Sequence, residues 1–173
     1  MRKFLAITVV LLAGCTGIPD GIEPVDDFEL ERYLGTWYEI ARLDHGFERG
    51  LSNITASYSL REDGGVAVLN RGYRDEKGEW DEAEGKAYFI GDPGVGRLKV
   101  SFFGPFYGAY NVFELGDDYE YAMVAGPDRS YLWILAREPR LPPAMLDELL
   151  SKAEAAGYDN SKLIIVEHDR TPE

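Results

Sequence analysis

The sequence predicts an all-β domain with one helix: an eight-stranded antiparallel up-and-down barrel with a C-terminal α-helix packed on its outer wall. Three observations point there. Short runs of strand-forming residues recur about every ten residues between clusters of Gly, Pro and Asp. One stretch of helical periodicity follows the last of them. The chain has 173 residues and 45% hydrophobic composition, enough for a single core, and carries no internal repeat.

The N-terminal segment is a processing signal by its pattern. Arg2 and Lys3 precede an apolar run from Phe4 to Ala13, too short to span a bilayer but suited to the core of a signal peptide. The run ends in Leu12-Ala13-Gly14-Cys15, which resembles the bacterial lipoprotein signal. That resemblance implies removal of residues 1–14 and acylation of Cys15, the only cysteine of the chain. An ordinary secretory signal is the alternative. Thr16 in place of an aspartate favours sorting to the outer membrane if the host is Gram-negative. Residues 15–27 combine Pro, Gly and acids without a hydrophobic period, and are expected to form a flexible tether.

The folded domain is expected over residues 28–168. Its strands are predicted at 36–43, 53–61, 65–73, 83–90, 97–103, 109–115, 119–125 and 131–137, with turns such as Asp63-Gly64-Gly65 and Gly126-Pro127-Asp128 between them. Even spacing of eight strands favours a barrel, with a two-sheet sandwich as the competitor. Pro142-Pro143 then opens a helix over 144–156, with Met145, Leu146, Leu149, Leu150 and Ala153 on one face and Gly157 ending it. The barrel's outer wall is the one place for that face. A short strand at 163–166 can pair with a barrel edge, and the tail, residues 169–173, is expected to be disordered.

Charge and motif content narrow the function classes. There are 31 acidic against 18 basic side chains, a net charge of −13. Loss of Arg2 and Lys3 with the signal makes this −13 − 2 = −15. Such a surface opposes binding to nucleic acid and adsorption to anionic lipid. A lone cysteine makes no internal disulfide and no zinc-type cluster. The chain has no Gly-x-Ser-x-Gly, HExxH or phosphate-loop pattern. His45 and His168 read as solvated loop and tail residues, and the acidic groups Glu29/Glu31, Asp75/Glu76 and Asp81/Glu82/Glu84 as solvated turns. The reading is therefore a binding protein, not an enzyme, with no cofactor and no metal.

Three short motifs carry a family resemblance. Gly35-Thr36-Trp37-Tyr38 at the first strand, Gly116-Asp117-Asp118-Tyr119 between the sixth and seventh strands, and Arg137 closing the eighth resemble the signatures of the lipocalins. Up-and-down order returns all three to the lower rim. Trp37 and Arg137 can meet there, the guanidinium over the indole, worth about 0.5–2 kcal/mol. Gly35, Trp37, Asp118 and Arg137 are thus structural residues of the barrel floor. Phe47-Glu48-Arg49-Gly50, Gly85-Lys86-Ala87-Tyr88-Phe89, the run from Lys99 to Gly108, and Gly126-Pro127-Asp128-Arg129 resemble the bacterial outer-membrane lipoproteins of that family. The resemblance covers about residues 28–168. It implies a carrier of fatty acids or lysophospholipids held to the membrane by its lipid anchor.

Strand alternation suggests the site. Tyr131, Trp133 and Leu135 share a face with Arg137, so Trp133 points into the middle of the cup and Tyr131 lies nearer its mouth. Trp37, Glu39 and Ala41 share a face on the first strand, which brings a carboxylate inside. Phe106 and Tyr107 are expected at the mouth. The candidate ligand residues are Trp133, Tyr107, Tyr131, Phe106 and Glu39, with Arg49 and Arg129 as further head-group contacts. Glu39 either favours a zwitterionic head or pairs with an internal base or water. Burying about ten methylenes contributes about 8 kcal/mol, offset by about 4–15 kcal/mol of association cost, so micromolar binding is expected. The alternative is a membrane-tethered scaffold with a filled barrel that works through protein partners. Whether the domain forms a homodimer is left open.

Overall fold

A computed structural model describes residues 16–170. Cys15 and residues 1–14 lie outside the described residues, as does the end of the expected tail, 171–173.

Eight antiparallel strands form the barrel: β1 (Gly35–Leu43), β2 (Leu51–Leu60), β3 (Val66–Arg74), β4 (Glu79–Phe89), β5 (Arg97–Phe103), β6 (Phe106–Leu115), β7 (Tyr121–Ala125) and β8 (Leu132–Ala136). Each pairs with the next, β8 pairs with β1, and β1 pairs with β2, which closes the wall. A closed cylinder leaves no long bare edge, and this excludes the sandwich. A short helix α1 (Leu30–Tyr33) precedes β1, and α2 (Pro143–Ala155) follows β8. The last strand, β9 (Leu163–Ile165), pairs with the upper half of β1, where β1 has parted from β2.

Two apolar clusters divide the molecule by strand parity. One lies inside the barrel and includes Trp37, Tyr58, Val68, Leu98, Val124 and Leu135. The other lies between the wall and α2: Ile40, Met123, Leu132 and Ile134 on the barrel against Leu149 and Ala153 on the helix. Met145, Leu146 and Leu150 pack on its margin, so the predicted helical face is the face that is buried. Leu149 is almost wholly buried in this cluster, and Leu149→Ala is expected to cost about 2–5 kcal/mol. Its urea midpoint should fall with the slope of the transition unchanged. An unchanged midpoint would show that α2 contributes nothing to the fold.

Trp37 and Arg137 meet at the floor, with Gly35 beside them. The Arg137 guanidinium stacks 3.9 Å from the Trp37 ring. It donates to the carbonyls of Thr36 (3.0 Å), Arg32 (2.7 Å) and Tyr119 (3.3 Å). Trp37 Nε1 donates to the Tyr33 carbonyl at 2.8 Å. Gly35 has φ of +94°, and a Cβ there would meet Arg137 Nη1 at 3.4 Å. Glycine suits both conditions. Asp118 is exposed in the β6–β7 turn, where its N–H donates to Glu120.

Two expectations about the ends need correction. Residues 16–27 form a strap down the outer wall rather than a free tether. Asn111 Nδ2 donates to the Gly17 carbonyl at 3.1 Å, and Arg129 Nη2 donates to the Asp20 carbonyl at 2.6 Å. Ile22 is buried under α2, and Val25 bonds through its backbone to Gly96 and Val112. Few hydrophobics and no period concealed this, because an irregular strap is held mainly by backbone and side-chain hydrogen bonds. The chain after His168 is likewise tied down, since Asn53 Oδ1 accepts from the backbone of Asp169 (2.9 Å) and Arg170 (2.8 Å).

Candidate functional site

The open end of the barrel is formed by the β1–β2, β3–β4, β5–β6 and β7–β8 loops, opposite the Trp37 floor. Register between strands decides which side chains reach the interior. The β1–β8 pairing runs Glu39 to Leu135, then Ala41 to Ile134, then Arg42 to Trp133. One extra residue, Ile40, is therefore accommodated in a bulge, and a bulge reverses the facing of the residues beyond it. Glu39 points inward as expected. Ala41 does not: it joins Ile40 in the outer cluster under α2. Arg42 takes the inward place, a residue that simple alternation put outside.

Arg42 and Glu39 form a buried ion pair with Arg42 Nε 3.6 Å from Glu39 Oε1, too far for a hydrogen bond. Glu48 reaches in from the β1–β2 loop. Its Oε2 accepts from Trp133 Nε1 at 3.0 Å and lies 3.9 Å from Arg42 Nε, while its carbonyl accepts from Arg42 Nη2 at 2.8 Å. His45 Nε2 lies 2.9 Å from the same Oε2 but out of line for a hydrogen bond. His45 is buried, its ring 5.2 Å from Trp133 and 5.8 Å from Tyr131. The expectation of a solvated His45 fails because the β1–β2 loop folds inward over the cup. Two acids, one arginine and a histidine thus share the upper interior with Trp133. Arg42, His45 and Glu48 escaped sequence reasoning, since the first needs the bulge and the others need the loop's path.

Burial, and then the charge of Glu48, hold the Glu39 carboxyl well above the usual glutamate range, with Arg42 opposing them. A carboxyl of raised pKa binds its proton more tightly in the folded state. Stability from this group is full below the ordinary glutamate value and falls as pH rises through the folded one. Glu39→Gln is therefore expected to match the parent near pH 4 and to exceed it in stability toward pH 8. Thermal unfolding across that range checks this, and a variant less stable than the parent at pH 8 would contradict it.

Below the charged group the interior is mainly apolar down to the tyrosines of the floor, interrupted by Asn70, which faces inward opposite Ala56 with its Oδ1 buried. Tyr110 OH pairs with both Tyr33 OH and Tyr58 OH, each at 2.8 Å. Burial comes first among the causes that raise all three phenols, so they stay protonated. Ala56, Val100, Phe102 and Trp133 face inward yet are only partly buried.

The remaining candidates are dispersed. Tyr131 lies at the mouth beside Trp133, ring centroids 6.0 Å apart. Phe106 stands exposed on the rim. Tyr107 faces outward, because Gly108 and Tyr110 take the inward parity of β6, and its ring lies 4.9 Å from Lys99 Nζ on the outer wall. Arg49 pairs with Asp44 on the surface, and Arg129 ties the Ala156 carbonyl to the strap. His168 docks against β1, bonded to the Glu39 carbonyl at 2.8 Å. Two clefts lie outside the barrel. One of about 430 Å³ sits between the strap and α2, and one of about 270 Å³ lies over β1–β3. Among the described residues no group of His, Cys, Asp and Glu has a metal-binding arrangement, and no helix is long and apolar enough to cross a membrane.

Comparison with known proteins agrees with this architecture. The chain is 57% identical to the outer membrane lipoprotein Blc of Vibrio cholerae serotype O1 over 165 residues, covering 95% of this chain and 96% of the relative. It is 52% identical to the Blc of Escherichia coli K12, covering 94% and 93%. Apolipoprotein D of Macaca fascicularis is 32% identical, covering 98% and 97%. Among solved structures, insecticyanin of Manduca sexta superposes with a TM-score of 0.69 at 22% identity, covering 88% of this chain and 87% of that one, which speaks to the fold alone. The family model described as a lipocalin-like domain matches residues 28–168, and the chain belongs to the lipocalin family.

Proposed function

We propose that this protein is a lipid carrier, held to the outer membrane by acyl chains on Cys15, that takes a fatty acid or lysophospholipid into its barrel. Lipocalins bind small hydrophobic ligands. The observation that carries the reading is the polarity gradient of the interior. A compact charged group, Glu39, Arg42 and Glu48, lies beside Trp133 near the mouth, above a shaft lined mainly by apolar side chains with Asn70 among them. An amphiphile has the same gradient. The Glu48 carboxylate already lies against Trp133 Nε1 and close to Arg42. A ligand carboxylate or phosphate meets those same donors when the β1–β2 loop moves aside. Tyr131 borders this position, Phe106 belongs to the rim, and Tyr107 is left out. The names of the Vibrio and Escherichia relatives, matched along nearly their whole length, support the membrane location.

The test is native mass spectrometry of the full lipoprotein extracted from membranes in mild detergent. The expected spectrum shows a diacylated or triacylated Cys15 and, in addition, a released ligand in the mass range of fatty acids or lysophospholipids. A protein that carries its anchor but never a ligand, and that takes up none on incubation with either class, would favour the scaffold instead.

A further inference from the structure

We infer that the open rim of the barrel is a membrane-docking surface, entering the same bilayer that receives the acyl chains of Cys15, so that the mouth opens directly on lipid. The inference rests on the proposed acylation. The three exposed phenylalanines among the described residues, Phe47 (60% exposed), Phe103 (77%) and Phe106 (70%), all stand at this end. Phe47 is on the β1–β2 loop, and the other two flank the β5–β6 turn directly across the barrel mouth. The two residues between them, Gly104 and Pro105, carry no charge to desolvate. Leu60 at the floor end and Leu69, Ile164 and Ile165 on the walls are also exposed. Only the open end gathers several exposed aromatic rings, and a grouping of large apolar side chains on an acidic protein marks a contact surface.

Where the strap ends identifies the occupant. Gly17 is held through Asn111, whose Nδ2 also donates to the carbonyls of Ala125 and Gly126 at 3.3 Å. A Cβ on Gly17 would lie 3.5 Å from the Pro127 carbonyl. The described chain therefore begins beside the β7–β8 loop, at the open end. Cys15 is two residues from Gly17, at most about 8 Å away along the chain. Because residues 16–27 form a packed strap and not a spacer, acyl chains on Cys15 hold this end against the bilayer. The net charge of the mature chain excludes electrostatic adhesion to anionic lipid, whereas aromatic side chains enter the interface without it. Asp44 and Arg49 on the β1–β2 loop, and Asp75, Glu76 and Lys77 on the β3–β4 loop, lie at the head-group level. A ligand then passes between bilayer and barrel without crossing bulk water.

Acylation consumes the one native cysteine, so a second cysteine can be labelled alone. Phe103→Cys and Glu62→Cys, the latter exposed in the β2–β3 turn at the floor end, are labelled with an environment-sensitive nitrobenzoxadiazole dye. The full lipoprotein is reconstituted in phosphatidylethanolamine–phosphatidylglycerol vesicles. The dye at 103 is expected to brighten several-fold, shift to the blue, and be quenched by nitroxide-labelled phosphatidylcholine, with no change at 62. A dye at 103 that stays water-like in a protein shown by mass to be acylated overturns the inference and leaves the carrier function standing. An unacylated chain that binds no lipid removes the reading beneath it. Brightening that depends on protein concentration, without nitroxide quenching, assigns the rim to a second copy of the chain and also overturns it. A Phe103→Ser variant, altered only at an exposed side chain outside the candidate ligand residues, should stay folded by circular dichroism. It should bind lysophospholipid from micelles normally but exchange it with vesicles more slowly.

Discussion

Arg42→Met is expected to destabilise the protein by about 3–5 kcal/mol at neutral pH, because it removes the one guanidinium from a buried group containing two acids and a histidine. Arg42 is fully buried between Glu39 and Glu48, with His45 Nε2 2.9 Å from Glu48 Oε2. Taking it away leaves the two carboxylates in a low-dielectric space without their guanidinium partner. The deficit should shrink as pH falls, since protonation relieves the stranded acids, and Glu39 already favours its proton. Adding Glu39→Leu to Arg42→Met should recover part of the loss, as an apolar replacement of a buried pair commonly does. Urea unfolding at pH 7.5 and pH 5 checks both statements. A deficit that is equal at the two pH values would mean that Arg42 acts through packing and not through charge.

The second large effect is at the floor. Trp37→Ala is expected to cost about 3–5 kcal/mol, a large part of the 5–15 kcal/mol typical of a domain. The indole is wholly buried, its ring lies 4.7 Å from Tyr33, its N–H is satisfied by a carbonyl, and its face carries Arg137. Truncation opens a cavity and also strips the guanidinium of its platform. Trp37→Phe keeps most of the apolar volume and loses only the N–H bond, so it should fall between the two. Thermal melts of the three proteins give the order. If Trp37→Phe is as damaged as Trp37→Ala, the hydrogen bond dominates and packing is secondary.

Much of the fold was legible because its signals are local. Strand spacing, the turn clusters and the helical face of Leu149 and Ala153 each sit within a dozen residues, and the structure follows them to within a few positions. The floor was legible as well, since Gly35, Trp37 and Arg137 belong to short signatures whose meeting follows from strand order. The site was only half legible. Trp133, Tyr131 and Glu39 lie where alternation places them. Arg42 was hidden by the bulge at Ile40, and Tyr107 was misplaced because its parity on β6 is set by pairing to β5, not by the glycines around it. His45 and Glu48 belong to a loop whose path depends on what it covers. The strap at 16–27 was read as a tether because hydrogen bonds to distant carbonyls leave no periodic trace in sequence.

The central claim is that the ligand lies inside the barrel beside Trp133, beneath the β1–β2 loop. Its most direct test is collisional quenching by a lysophospholipid or fatty acid brominated along its acyl chain, which acts only at contact. The tryptophans are Trp37 in the floor, Trp80 on the outer wall and Trp133 in the upper interior. In a Trp80→Phe variant, emission should fall with saturable binding in the micromolar range. In Trp133→Phe, most of that quenching should vanish while ligand is still bound by mass. Quenching that survives loss of Trp133 and disappears with loss of Trp80 would place the lipid on the outer wall and contradict the account.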